Sequence, residues 1–587
     1  MLSGTEPCSI RVVKAIMTLT PETPLPSASA APWLQHYPEG VVWNAPLEVS
    51  AVPALFDRAV ARYAGHKACS FLGRSLTYAE LSRLIEQATA GLQGMGVGKG
   101  VKVGLLLPNC PTFIIFYYAI LKAGGTVVNY NPLYTIEELA FQVKDSDTEI
   151  MVTLDLKLLF EKADTLAEQG LLKHVVVASF PALLPAVKSV LFKLFRGRDM
   201  AVISAAKAKS KVVLEGDLLS TSGTPKQVEI DPLGDIAVLQ YTGGTTGTPK
   251  GAMLSHANLT VNVRQSTLWS RAYTEPGTER ILAILPFFHV FAMTGIMNRG
   301  LADGAELIIM PRFVLDDTMK VLQKAKPTIM PAVPTIFNAI LNHPDAMKTD
   351  FSSLKICLSG GAPLPLEVKK AFETLTGAKV IEAYGLSETS PGVTINPLDG
   401  RAKSGSIGQP IPGTTVSIRD VGNPEKEMPL GQPGEICIKG PQVMKGYYKR
   451  PQETADAFVG DFLRTGDVGY LDEEGFIFIV DRIKDMIISS GFKVYPRFVE
   501  EKIYEHPAVE EVTVIGIKDD YRGEAPKAFI KLRAGHTATV EDIRKHLEPK
   551  LSKIEMPAEI EFRSELPKTM IGKLSKKELK AEEAAKS

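Results

Sequence analysis

Between residues 101 and 144 the chain alternates short strand-like runs with longer helix-like ones, and this alternation restricts its fold more than any other feature. Residues 101–107 read as a strand, 111–123 as a helix, 126–129 as a strand and 136–144 as a helix. Strands joined through a helix lie parallel, and a parallel sheet needs helices on both faces. The expectation is an α/β fold: a large N-terminal domain with sheets covered by helices, plus a small, mobile α+β C-terminal domain. The small domain is read from the change of texture after Lys484, where strands at 511–517 and 527–532 precede a charged helix at 540–551. About a hundred residues of this kind can fold alone. The boundaries are therefore set at 1–32, 33–483 and 484–587. Pro21, Pro24, Pro26 and Pro32 around a Ser/Ala stretch make the first segment a disordered one, and Met17 is a second candidate start. Gly94-Met95-Gly96-Val97-Gly98 has glycines at dinucleotide-loop spacing. It follows a helical stretch and precedes a strand, the reverse of the required order, and is set aside.

A second feature points to chemistry. Tyr241-Thr242-Gly243-Gly244-Thr245-Thr246-Gly247-Thr248-Pro249-Lys250-Gly251 follows the apolar run Ile236-Ala237-Val238-Leu239. Glycines let backbone N–H groups converge on a polyphosphate, threonines add hydroxyl donors, and Lys250 adds charge. The spacing is not that of a Walker loop, because Thr248 and Pro249 separate Gly247 from Lys250 and no Ser/Thr follows the lysine. The plain alternative is a flexible Gly/Thr linker, which seldom sits between two apolar runs.

Further motifs follow in order: Tyr384-Gly385-Leu386-Ser387-Glu388-Thr389, Thr465-Gly466-Asp467, Asp481-Arg482-Ile483-Lys484-Asp485 and Pro567-Lys568-Thr569-Met570-Ile571-Gly572-Lys573. With them the chain resembles the adenylate-forming superfamily of acyl-CoA synthetases, luciferases and peptide-synthetase adenylation domains. The resemblance implies ATP, Mg²⁺ and coenzyme A as ligands, an acyl-adenylate intermediate, and a hinge at Lys484. Thr242, Gly243, Gly244, Thr245, Thr246, Gly247 and Lys250 are then expected to hold the leaving phosphates, and Glu388 to hold Mg²⁺. Lys573 is expected to reach the reacting carboxylate and α-phosphate, and Asp467 the ribose hydroxyls, with Arg482 bracing ribose or phosphate. Tyr384 is expected to stack on adenine, with Gly360 and Gly361 at the ring edge. Ser387 stands where the family has threonine and keeps the hydroxyl for the α-phosphate. Many relatives carry tryptophan and histidine where this chain has Phe462 and Arg464. His289, in Pro286-Phe287-Phe288-His289-Val290-Phe291, resembles a histidine near the acyl carboxylate; taken alone it reads equally as a core residue.

Residues 129–134, 441–448, 462–469 and 490–496 resemble bacterial long-chain fatty acid–CoA ligases. The expected activity is ligation of a long-chain fatty acid to CoA, with medium-chain acids, aryl acids and non-catalytic lipid binding as alternatives. Sixty-six basic residues balance 66 acidic ones, so no nucleic-acid partner is indicated. Five scattered cysteines without a C-x-x-C pair fit a reducing compartment, and no apolar run reaches the ~20 residues of a membrane span. A cytoplasmic enzyme is expected. Residues 181–211 interleave Leu184, Val187, Leu191, Leu194 and Phe195 with Lys188, Lys193, Arg196 and Arg198. This pattern suits either an ordinary packed surface helix or peripheral contact with the inner membrane face.

Overall fold

The computed structural model describes residues 17–19, 31–220, 223–242, 249–569 and 572–586. The first sheet has seven strands in the spatial order Lys250–Ser255, Ile236–Thr242, Thr126–Asn129, Lys102–Leu105, Thr148–Leu154, His174–Ala178 and Val212–Leu214. All neighbours are parallel except the first pair. Successive residues point to opposite faces, so Val127, Ile150, Val152 and Val238 enter one core while Val128, Met151 and Leu239 enter another. Burial on both faces explains why the inner strands carry consecutive apolar residues rather than alternating ones, as at Val127–Val128 and Ile150–Val152.

Helix α1 (Ala186–Arg196) lies between the last two of these strands in the chain and has no buried residue. Strand β1 (Ile236–Thr242) pairs antiparallel with β2 (Lys250–Ser255), with Thr242 opposite Lys250. Helix α2 (His256–Ser270) follows at once. Its start is fixed by a capping box: Ser255 Oγ accepts from the Asn258 N–H and Asn258 Oδ1 accepts from the Ser255 N–H.

The second sheet has nine strands, six of them parallel: Lys379–Gly385 (β3), Ile356–Ser359, Ile329–Ala332, Arg280–Ala283, Glu306–Ile309 and Lys67–Phe71. A five-stranded antiparallel sheet follows and contains β4 (Phe462–Leu471) and β5 (Ile477–Arg482). The last sheet, also five-stranded, begins at Ile487 and encloses its own core around Val499, Val512, Ala528 and Ile543.

Differences from the sequence reading are local. The expected strand 101–107 is Lys102–Leu105, and the expected helix 540–551 stops at Leu547: Glu548 still has helical dihedrals, but Pro549 has no N–H with which to continue the hydrogen-bond ladder. Within the segment expected to be disordered, Met17–Leu19 pairs antiparallel with Leu47–Val49, and Ala31 and Pro32 are buried where a short helical turn, Pro32–Gln35, begins. The rest of residues 1–30 lies outside the described residues, as do Gly243, Gly244, Thr245, Thr246 and Gly247.

Candidate functional site

The carboxyl ends of β1 and β3, the β4–β5 pair and the loop before the C-terminal helix converge on one cavity of about 1510 Å³. Thr242, Lys250, His289, Gly360, Gly361, Tyr384, Ser387, Glu388, Arg482 and Lys573 all line it. These ten residues are spread over more than three hundred positions of sequence. Asp467 does not line the cavity; it is buried behind two residues that do.

Antiparallel pairing of β4 with β5 sets Asp467 directly opposite Arg482. Arg482 Nε donates to Asp467 Oδ1 at 3.0 Å, and Tyr384 Oη donates to Asp467 Oδ2 at 2.6 Å. Burial, and then the Asp467 charge, push the Tyr384 hydroxyl well above its ordinary pKa, so it stays a donor. Both Asp467 oxygens therefore already hold a partner, and the carboxylate fixes the placement of Tyr384 and Arg482 at the cavity wall. The departure at Arg464 has a structural role. Arg464 Nε and Nη2 both reach Glu435 Oε2, at 3.0 and 2.8 Å, while Glu435 Oε1 accepts from the Gly466 N–H at 3.0 Å. The pair braces the turn that carries Asp467. Phe462 instead lies under the Arg419 guanidinium, 4.6 Å from ring centre to cation.

Glu388 sits in a short helical turn, Ser387–Thr389, and its Oε1 accepts from Tyr447 Oη at 2.8 Å. Burial raises its pKa, and the Tyr447 hydrogen bond partly offsets this. The Tyr447 ring in turn faces Lys250 Nζ at 5.4 Å. Tyr447 is thus a site residue that its role in a family-like segment did not reveal. Its bridge to Ala252 places it beside β2, a contact no linear pattern encodes.

Lys573 arrives from the far end of the chain. Thr335 Oγ1 donates to the Gly572 carbonyl at 2.7 Å, and this bond pins the lysine loop to the start of the helix Pro334–Leu341, which follows a strand of the second sheet. Gly361 has φ +83°, a backbone conformation that favours glycine, and a Cβ there would crowd Lys573 Cε at 3.0 Å. Burial, and then repulsion from Arg482, lower the Lys573 pKa to about 8. Among the described residues no carboxylate forms an ion pair with it. His289 Nδ1 accepts from the Phe291 N–H at 3.3 Å, which places the ring proton on Nε2. Burial, reinforced by Lys573, lowers its pKa to about 3, so it is neutral at physiological pH.

The cavity continues past these groups, between α2 and the second sheet. Gly360 and Pro331 lie at the carboxyl ends of their strands, while Ile356, Ile329 and Ile281 lie at the amino ends of theirs and still line it. From Ile356 to Gly360 the strand rises about 13 Å. Apolar side chains of the sheet form one wall; Asn262, Ser266 and Trp269 of α2 contribute to the other.

Comparisons with known proteins agree with this geometry. Residues 56–448 match the family described as AMP-binding enzyme, and residues 499–573 its C-terminal domain. A long-chain-fatty-acid–CoA ligase of Bacillus subtilis is 42% identical over 94% of this chain and 98% of its own length. ATP-bound MatB from Rhodopseudomonas palustris superposes with a TM-score of 0.79 at 27% identity, covering 91% of this chain and 99% of that one. The anthranilate CoA ligase AuaEII, in complex with anthranoyl-AMP, gives a TM-score of 0.80 at 25% identity over 92% and 98% of the two chains.

Proposed function

The chain belongs to the AMP-binding enzyme family, and from the apolar cavity that continues beyond its nucleotide cleft we propose that it ligates a long-chain fatty acid to coenzyme A through an acyl-adenylate. The cavity is the observation that carries this reading. Its 1510 Å³ exceeds the roughly 300–1,000 Å³ of an ordinary small-ligand site. Beyond the nucleotide end the cavity runs along Ile281, Ile329, Ile356 and Leu358 of the second sheet, with Glu279, Arg299 and Asp303 also in its wall.

In the first half-reaction the fatty carboxylate attacks the α-phosphate of ATP and pyrophosphate leaves. In the second the CoA thiol attacks the acyl carbon and AMP leaves. Neither step uses a nucleophilic side chain, so catalysis rests on placed charge. Lys573, which has no acidic partner among the described residues, would serve the carboxylate and α-phosphate, and neutral His289 can donate from Nε2 to an acyl oxygen. Tyr384 offers its ring to adenine. Asp467 holds Arg482 for the phosphates or ribose, and each carboxylate oxygen keeps a second lone pair for a ribose hydroxyl. Thr242, Lys250 and Ser387 serve the phosphate end, and residues 243–247, which lie between Thr242 and Lys250 in the sequence, are proposed to act with them. Lys484, within the turn Ile483–Asp485, serves as hinge between residues 33–483 and 484–587.

Glu388 suits Mg²⁺. A buried carboxylate whose pKa is raised gains from a hard cation, and the absence of any three-ligand cluster among the described residues suits an ion that takes its other oxygens from phosphates and water. When bound, the ion offsets polyphosphate charge. No helix among the described residues is long and apolar enough to cross a membrane, and the four described cysteines are free and buried. These features support action in the cytoplasm.

The test is thioester formation across a panel of fatty and aryl acids with ATP, Mg²⁺ and CoA. Acyl-CoA from long-chain acids, with one AMP and one pyrophosphate each, is expected. Preference for an aryl acid overturns the substrate assignment, and ATP binding without turnover of any acid overturns the enzyme assignment.

A further inference from the structure

Helix α1 is inside out. Val187, Leu194 and Phe195 are 72, 72 and 75% exposed, and Val190 and Leu191 are exposed beside them. At 3.6 residues per turn these five side chains fill one arc of about 140°. The opposite side holds the helix to the protein, where Phe192 packs on Phe180 with ring centres 4.9 Å apart. The apolar face therefore points directly into solvent, the reverse of a helix packed on a core. Val202, six residues beyond the helix, is also 64% exposed. Such a contiguous patch marks a contact surface.

The surrounding charge selects the partner. Residues 181–211 carry seven basic side chains and one acidic one, although the whole chain is neutral. Lys193 and Arg198 are exposed, with Arg198 85% accessible at its side chain, and Lys188 stays beside the patch by donating to the Leu72 carbonyl at 2.7 Å. Arg196 is paired with Asp199. A second copy of the chain would bring the same cations face to face, which disfavours self-association. From these observations we infer that α1 docks the protein on an anionic lipid surface, its apolar arc entering the acyl boundary and its flanking cations meeting the headgroups. The inference does not depend on which acid the cavity takes. For an acid that partitions into bilayers, the docking places the enzyme at its source.

The test is co-sedimentation of the full chain with vesicles of phosphatidylcholine plus phosphatidylglycerol, against pure phosphatidylcholine. Binding is expected only to the anionic vesicles and is expected to weaken as salt rises. The double variant Leu194→Glu/Phe195→Glu is expected to lose about tenfold or more in partition. Lys193→Glu/Arg198→Glu is expected to lose at least about fivefold per removed cation. Turnover of a water-soluble short acid, unchanged in both, shows that they are folded. Absence of vesicle binding by the native protein refutes the docking, as does binding that both variants leave intact. So does a concentration-dependent dimer that the Leu194/Phe195 variant abolishes while vesicles are ignored.

Discussion

Lys573→Ala separates the cost of the site from its use. The fall of its pKa from 10.5 to about 8 corresponds to roughly 3 kcal/mol of unfavourable burial, an upper bound because the side chain keeps some solvent contact. The sign follows from linkage. The folded state binds its proton more weakly than the unfolded state, so the penalty is fully present below about pH 8 and disappears as pH rises past 10.5. Alanine should therefore stabilise the protein at neutral pH by up to about 3 kcal/mol, read as a higher midpoint in urea. The same change removes a cation from the reacting phosphate and should slow acid-dependent pyrophosphate exchange about 10²–10³-fold. Conversion of supplied acyl-AMP and CoA to thioester should survive if the small domain that carries Lys573 turns about the proposed Lys484 hinge between the two half-reactions. In the native enzyme kcat/KM for adenylation should fall above about pH 8, as the free ammonium deprotonates. Lys573→Arg should lose that alkaline limb. A variant that is less stable and adenylates normally refutes the reasoning on both counts.

Arg464→Ala leaves Glu435 buried beneath Gly466 without its bidentate partner. It should cost about 1–3 kcal/mol in chemical denaturation and raise the KM for ATP through the loosened Asp467 turn; an unchanged KM would separate the brace from the nucleotide site. Tyr447→Phe removes the donor to Glu388 Oε1 and should shift the Mg²⁺ concentration that half-saturates pyrophosphate exchange; identical metal titrations count against Glu388 as the ligand. Lys484→Pro fixes φ near about −65° at the proposed hinge. It should impair one half-reaction far more than the other, whereas proportional loss in both assays removes the hinge from this position.

The sequence made the sheet alternation legible because burial on both faces forces apolar runs at 101–107 and 126–129 whatever surrounds them. The ordered motifs made ten of the cavity-lining residues legible as well. What stayed hidden depends on contacts between distant strands. Glu435 and Arg464 meet through the pairing of two antiparallel strands, and Tyr447 meets Glu388 across 59 residues. The burial of Asp467 behind Tyr384 and Arg482 depends equally on how β3 meets the β4–β5 pair. The basic, apolar pattern at 181–211 fitted a packed helix and a docking helix alike; the outward apolar arc of α1, with Phe192 turned toward Phe180, shows only in the structure.

Acid-dependent exchange of labelled pyrophosphate into ATP, measured without CoA over a series of saturated fatty acids of increasing length and over aryl acids, tests the central claim most directly. A cavity that continues about 13 Å past the reacting groups along an apolar wall should give kcat/KM values that rise with chain length and reach their maximum among long-chain acids. A maximum at short or aryl acids, or exchange that no acid supports, contradicts it.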